Sequence, residues 1–175
     1  EDLGKLAADL DRLQGDFVAE QKQELAGQLR GAMADLLHLS HQQEDLARRT
    51  AGRPAQPAAL AAEQYALYEG TGVVVADVAR TGQRTLTLSL GLPATLGRAL
   101  QDMTQAAAHL GQRDPVGAGP LQAAATGYLN EAIVLLRQSA DNLEQAGSPS
   151  GFAEAMQKMM GLSEQQAALN QATQQ

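Results

Sequence analysis

Leu and Ala recur at intervals of three and four along almost the whole 175-residue chain. That is the spacing of helices with one apolar stripe each, and it constrains the fold more than any other feature. Aromatic residues make up only 3% of the chain and Trp is absent. A sandwich or barrel needs β-branched and aromatic residues, whereas Ala with Leu suits helices packed close together. The expected class is all-α: an antiparallel helical bundle of about five helices linked by short loops. A chain of this length fits a single helical domain over residues 1–175.

One stretch departs from the helical spacing. In residues 84–92, Leu86, Leu88, Leu90 and Leu92 alternate with Thr85, Thr87, Ser89 and Gly91. A period of two marks an extended segment with one buried face. The reading is one extended crossing at 84–92 between a first helical group at 23–82 and a second at 93–175. No second strand candidate exists, which disfavours an edge strand awaiting a partner.

Along the chain, Leu3, Leu6, Leu10, Leu13 and Phe17 form a narrow heptad seam, so residues 1–22 read as a coiled-coil extension, with a candidate kink at Gly15-Asp16. The stripe then runs through Leu25, Leu29, Ala32, Met33, Leu36, Leu39 and Leu46. Gly27 and Gly31 either admit a neighbouring helix or are simply tolerated. Gly52, Pro54 and Pro57 break the helix. Leu60, Tyr68, Thr71, Val75 and Val78 mark the next one, which Gly82 ends. Pro93 suits the first turn of a helix carrying Leu96, Leu100, Met103, Ala107 and Leu110. Residues 111–120 read as a Gly/Pro loop, followed by Leu121, Ala125, Tyr128, Ala132, Leu135 and Leu136. After a turn at 147–151, a last helix presents Phe152, Met156, Met159 and Leu162.

The formal net charge of −7 argues against nucleic acid as a partner, because a phosphate-binding surface needs clustered Lys and Arg. The cluster Arg48, Arg49 and Arg53 lies where a helix ends, where cations complement its dipole. There is no Cys, and hence no disulfide, thiolate metal site or Cys nucleophile. No apolar run approaches the roughly 20 residues of a membrane helix. The chain starts at Glu1 rather than Met and reads as part of a longer protein whose membrane anchor, if it has one, lies outside these residues.

The one cluster suggestive of metal chemistry is Asp35, His38, His41 and Asp45. At 100° per residue these four fall within roughly 120° of one another. Asp35 with His38 has the acid-x-x-His spacing of di-iron bundles, but such sites need a second motif and two further carboxylates. Leu25, Leu29, Leu36 and Leu39 occupy the opposite side of the helix, so a solvated face is the expected reading. No metal or other cofactor is expected. Gly-x-Ser-x-Gly is absent, and His109 has no evident acid partner in sequence. Met156 and Met159 suit ordinary core, or a groove for a partner helix.

Asp35-Leu36-Leu37-His38-Leu39-Ser40-His41-Gln42-Gln43-Glu44, Leu96 to Met103, Tyr128 to Ala132 and residues 150–171 resemble a known pattern. They are similar to the Gln-rich helical region of large uncharacterised bacterial proteins of the domain-of-unknown-function 4175 kind. The resemblance covers roughly residues 25–175. It implies membrane helices and coiled coil ahead of this region, a cell-envelope or periplasmic setting, and no transferable catalytic residue.

The expected function is non-enzymatic: a structural or protein-interaction module of a longer envelope-associated protein, with a protein partner or a second copy held through Leu3, Leu6, Leu10, Leu13 and Phe17, and through Met156 and Met159. The alternative is a sensory bundle with a small molecule between helices near Tyr65, Tyr68 and Tyr128.

Overall fold

The computed structural model describes residues 2–52, 56–85 and 88–145, without the side chains of 2–8, 10, 11 and 14. Four helices make up nearly all of this: α1 (Asp2–Ala51), α2 (Pro57–Gly82), α3 (Leu92–Gly111) and α4 (Pro115–Gln145). The all-α expectation holds, with four helices among the described residues rather than about five. Gly15 does not interrupt α1, whose 50 residues form one helix. The last expected helix, with Met156 and Met159, lies outside the described residues.

The chain divides into two compact units, one of residues 25–140 and one of residues 1–24 with 141–175. In the first, every helix buries side chains at alternating intervals of three and four. On α1 these are Leu25, Leu29, Ala32, Leu36, Leu39, Gln43, Leu46 and Thr50. On α2 they are Leu60, Gln64, Leu67, Thr71, Val74, Val78 and Thr81. Leu92, Leu96, Ala99, Met103, Ala106 and Leu110 continue the pattern on α3. Ala118, Gln122, Ala125, Leu129, Ala132 and Leu136 do so on α4. Four such stripes closing on one another make a coiled-coil-like bundle.

Polar pins between helices show the directions. Gln43 of α1 bonds Gln64 of α2, and Thr81 near the end of α2 bonds Gln28, so the partner number falls as the other rises. Thr95 and His109 of α3 meet Glu131 and Asp114 in the same reversed sense. Ser40 Oγ donates to Asn130 Oδ1 at 2.8 Å, joining α1 to α4. The pairs α1–α2 and α3–α4 are therefore antiparallel.

The described residues 84, 85 and 88–92 do not form an extended, Leu-faced crossing. The described part is a series of turns: Arg84 N–H donates to the Thr81 carbonyl at 3.0 Å, and Leu92 N–H to that of Ser89 at 3.1 Å. Leu90 is 99% exposed, while Leu92 is the first residue of α3 and fully buried. Adjacent antiparallel helices leave little distance to span, so a turn suffices. Ser89 N–H donates to Ser139 Oγ at 3.0 Å and ties this turn to α4.

The expected loop at 111–120 is also mostly helix. Asp114 caps α4, its Oδ1 accepting the Gly117 N–H at 2.9 Å, and Pro115 supplies a first-turn residue with preset φ. Arg113, at φ 63°, makes the reversal from α3. A Cβ at Gly117 would overlap Asp114 Oδ2 and His109 Nδ1, so a side chain there displaces that pair.

The close α4 packing generates a prediction. Ala132→Leu forces extra volume into a position with no exposure and should destabilise the bundle by about 1–3 kcal/mol. Leu90→Ser should stay within about 0.5 kcal/mol. Urea unfolding of both variants measures the contrast.

Candidate functional site

The sequence candidates fall into three groups, and the structure treats each differently. Asp35, His38, His41 and Asp45 are all exposed, as the helical arithmetic requires. Asp45 is engaged by Arg48 at 3.2 Å and Arg49 at 3.3 Å. His38, His41 and Asp45 edge an open groove of about 680 Å³ between α1 and α2, on whose rim the Arg49 guanidinium grips both oxygens of Glu63. That bond lowers the Glu63 carboxyl below its ordinary value. Among the described residues, no three His, Asp or Glu side chains are placed to share a metal ion.

Tyr65 and Tyr68 lie together on α2, and Tyr128 lies on α4. Tyr65 is 52% exposed and lies 5.5 Å from the Tyr68 ring on the same helix. Tyr128 instead takes the Arg98 guanidinium over its face at 5.9 Å. A second α1–α2 groove, of about 510 Å³, has Leu29, Ala32, Val74 and Val78 at its base and Asp35, Asp77 and Arg80 at its edge. No tyrosine lines either groove. Gly27 and Gly31 face open space, with no helix against them.

The heptad seam is the third group. Leu13 is 65% exposed and Phe17 61%, on a helix whose later residues bury their own stripe. The side chains of Leu3, Leu6 and Leu10 lie outside the described set; their positions on the unbroken helix share the heptad register of Leu13 and Phe17. Met156 and Met159 lie outside the described residues.

Sequence reasoning missed two arrangements. Gln43, Gln64 and Gln122 are fully buried in the bundle interior. Gln43 Nε2 donates to Gln64 Oε1 at 3.0 Å, and Gln64 Nε2 returns a bond to Gln43 Oε1 at 2.7 Å. Gln122 Nε2 donates to the same Gln64 oxygen at 2.9 Å, leaving its own Oε1 without a partner. The signal was present: each Gln fills the gap in a 3–4 repeat, between Leu39 and Leu46, Leu60 and Leu67, or Ala118 and Ala125. Two buried hydroxyls are satisfied within their own helix, Thr71 Oγ1 on the Leu67 carbonyl at 2.8 Å and Thr50 Oγ1 on that of Leu46 at 2.9 Å, whereas buried Ser40 bonds across to Asn130.

The second is His109 with Asp114, at 2.9 Å from Nδ1 to Oδ2. The acid partner that His109 lacked by motif stands five residues on. The Gly117 N–H, then His109, hold the Asp114 carboxyl below its ordinary value. Both side chains are substantially exposed and the pair serves as a helix cap.

Comparison with known proteins adds no relative, since no family model, curated protein or solved structure matches the chain.

Two predictions follow from this geometry. Gln64→Ala removes the group that both other amides bond, and should cost about 3–5 kcal/mol through the cavity and the stranded amides. Replacing all three Gln by Leu should cost less than that single change, because apolar substitution of every partner removes the stranded groups. Chemical denaturation of the parent and the two variants tests this ordering. As to pH, the stability that Asp114 contributes is complete above its ordinary value of 3.8 and is lost as pH falls through the lowered folded value. Glu63 acts with the same sign. Asp114→Asn should therefore lower the melting temperature near neutral pH and flatten the acid limb of the profile, so that parent and variant converge at low pH.

Proposed function

We propose that this chain is a non-enzymatic helical interaction module that docks a partner helix along the stripe of Leu3, Leu6, Leu10, Leu13 and Phe17. The observation that carries this reading is the exposure of Leu13 and Phe17 on a continuous helix. Large apolar side chains repeating at 3 and 4 on one helix are the form that binds another helix, knobs into holes. The cell-envelope setting rests only on the resemblance of the Gln- and Leu-rich helices. No helix among the described residues is long and apolar enough to cross a membrane.

The second reading is a sensory bundle whose ligand sits in the 510 Å³ groove, away from Tyr65, Tyr68 and Tyr128; the groove's size falls within the range of small-molecule sites, about 300–1,000 Å³.

The test uses a fluorescein-labelled helical peptide with Leu at the a and d heptad positions and Gln at the flanks. Anisotropy should show it binding the whole chain, and the double variant Leu13→Gln/Phe17→Gln should abolish binding. Because both positions are exposed, that variant should unfold within about 0.5 kcal/mol of the parent. Equal binding by parent and variant, or none by either, overturns the reading. A thermal shift with amino acids, organic acids or sugars would move the weight to the sensory alternative.

A further inference from the structure

The heptad register of the stripe specifies the charge of its occupant. With Leu3, Leu10 and Phe17 at a, and Leu6 and Leu13 at d, the g positions are Asp2, Asp9 and Asp16. The e positions are Ala7, Gln14 and Gln21, all uncharged. One rim of the seam is thus a row of aspartates one heptad apart, of which Asp9 and Asp16 are exposed. Glu20 and Glu24 take the next d and a positions, so the stripe ends in carboxylates. Lys5 and Arg12 lie at c, behind the aspartate row and away from the seam. Residues 1–24 carry seven acidic side chains against three basic, a net of −4 out of the chain's −7.

Residues at e and g set the choice of partner in a two-helix seam. A second copy gains nothing here. Packed parallel, each Asp faces Ala or Gln. Packed antiparallel, the three aspartates face one another, which repels. A helix with Lys or Arg at the opposing positions gains a charge pair at each of three sites and neutralises the rim. Building on the docking role proposed for this stripe, we infer that its occupant is a different chain: an amphipathic helix with a Leu seam flanked by basic residues.

Three labelled peptides, identical except for Lys, Gln or Glu at the flanks, test this against the whole chain by anisotropy. The Lys peptide should bind about tenfold more tightly than the Gln peptide, with the Glu peptide weakest, as expected for three rim pairs of modest strength. The spread should shrink as NaCl rises from about 50 to about 500 mM. Asp9→Lys/Asp16→Lys in the whole chain should invert the order and keep the melting temperature. Equal binding of all three peptides overturns the inference while leaving the docking role intact, whereas no binding of any peptide overturns both. Light scattering that shows a dimer of the chain alone, unchanged by the charge reversal, would assign the stripe to a second copy and also overturn the inference.

Discussion

The paired amides of Gln43 and Gln64, with Gln122 joined to them, are the constraint on which the 25–140 bundle depends. A core of Ala and Leu at uniform 3–4 spacing does not by itself choose one alignment, because sliding a helix by seven residues again sets apolar against apolar. Buried amides remove that freedom. Each brings a donor and an acceptor that cost several kcal/mol in hydrocarbon if unpaired. Only one axial alignment brings the three side chains together. The device resembles a polar residue at a coiled-coil a position, which gives up stability for register. Gln122 Oε1, the buried acceptor without a partner, marks where that stability is given up.

The same amides explain why part of the fold escaped sequence reasoning. The stripe on α1 was legible from Leu25 to Leu46 because apolar side chains fill it almost without gaps. On α2 the pattern found Leu60, Thr71 and Val78 but pointed to Tyr68 and Val75 where Gln64, Leu67 and Val74 are buried. An amide is polar by any scale, and only its partners on other helices make it a core residue. On α3 and α4, apolar residues also flank the true stripe, so Leu100 and Leu121 competed with Ala99 and Gln122. Alanine wins such positions because it lets helices approach closely, a preference that hydrophobicity alone does not rank.

The connections failed for a different reason. Alternation in residues 84–92 was genuine, but strands need partners, and a turn between antiparallel neighbours needs none. The Gly and Pro residues after Gly111 looked like a loop because no local rule sees Asp114 bonding forward to Gly117 and back to His109 at once. That one carboxylate begins α4, holds the end of α3 and occupies space that a side chain at Gly117 would take. On the proposed seam, periodicity alone pointed to the face on which Leu13 and Phe17 are exposed.

The exposed seam and the buried bundle are linked through helix cooperativity. A solvated helix of the length of residues 2–24 is marginal when isolated, chiefly because its first turn is costly to nucleate. Gly4 and Gly15 weaken it further, by up to about 1 kcal/mol each. Here the nucleus is supplied, since α1 continues without a break into residues that bury Leu25, Leu29 and Leu36. Helix then needs only to propagate outward, one hydrogen bond per residue fixed. The seam is therefore helical before any partner arrives, and docking does not bear the entropy of folding it. In this way the core would support the proposed function at a distance, because any change that unravels α1 near Leu25 restores the nucleation cost to the segment proposed to bind.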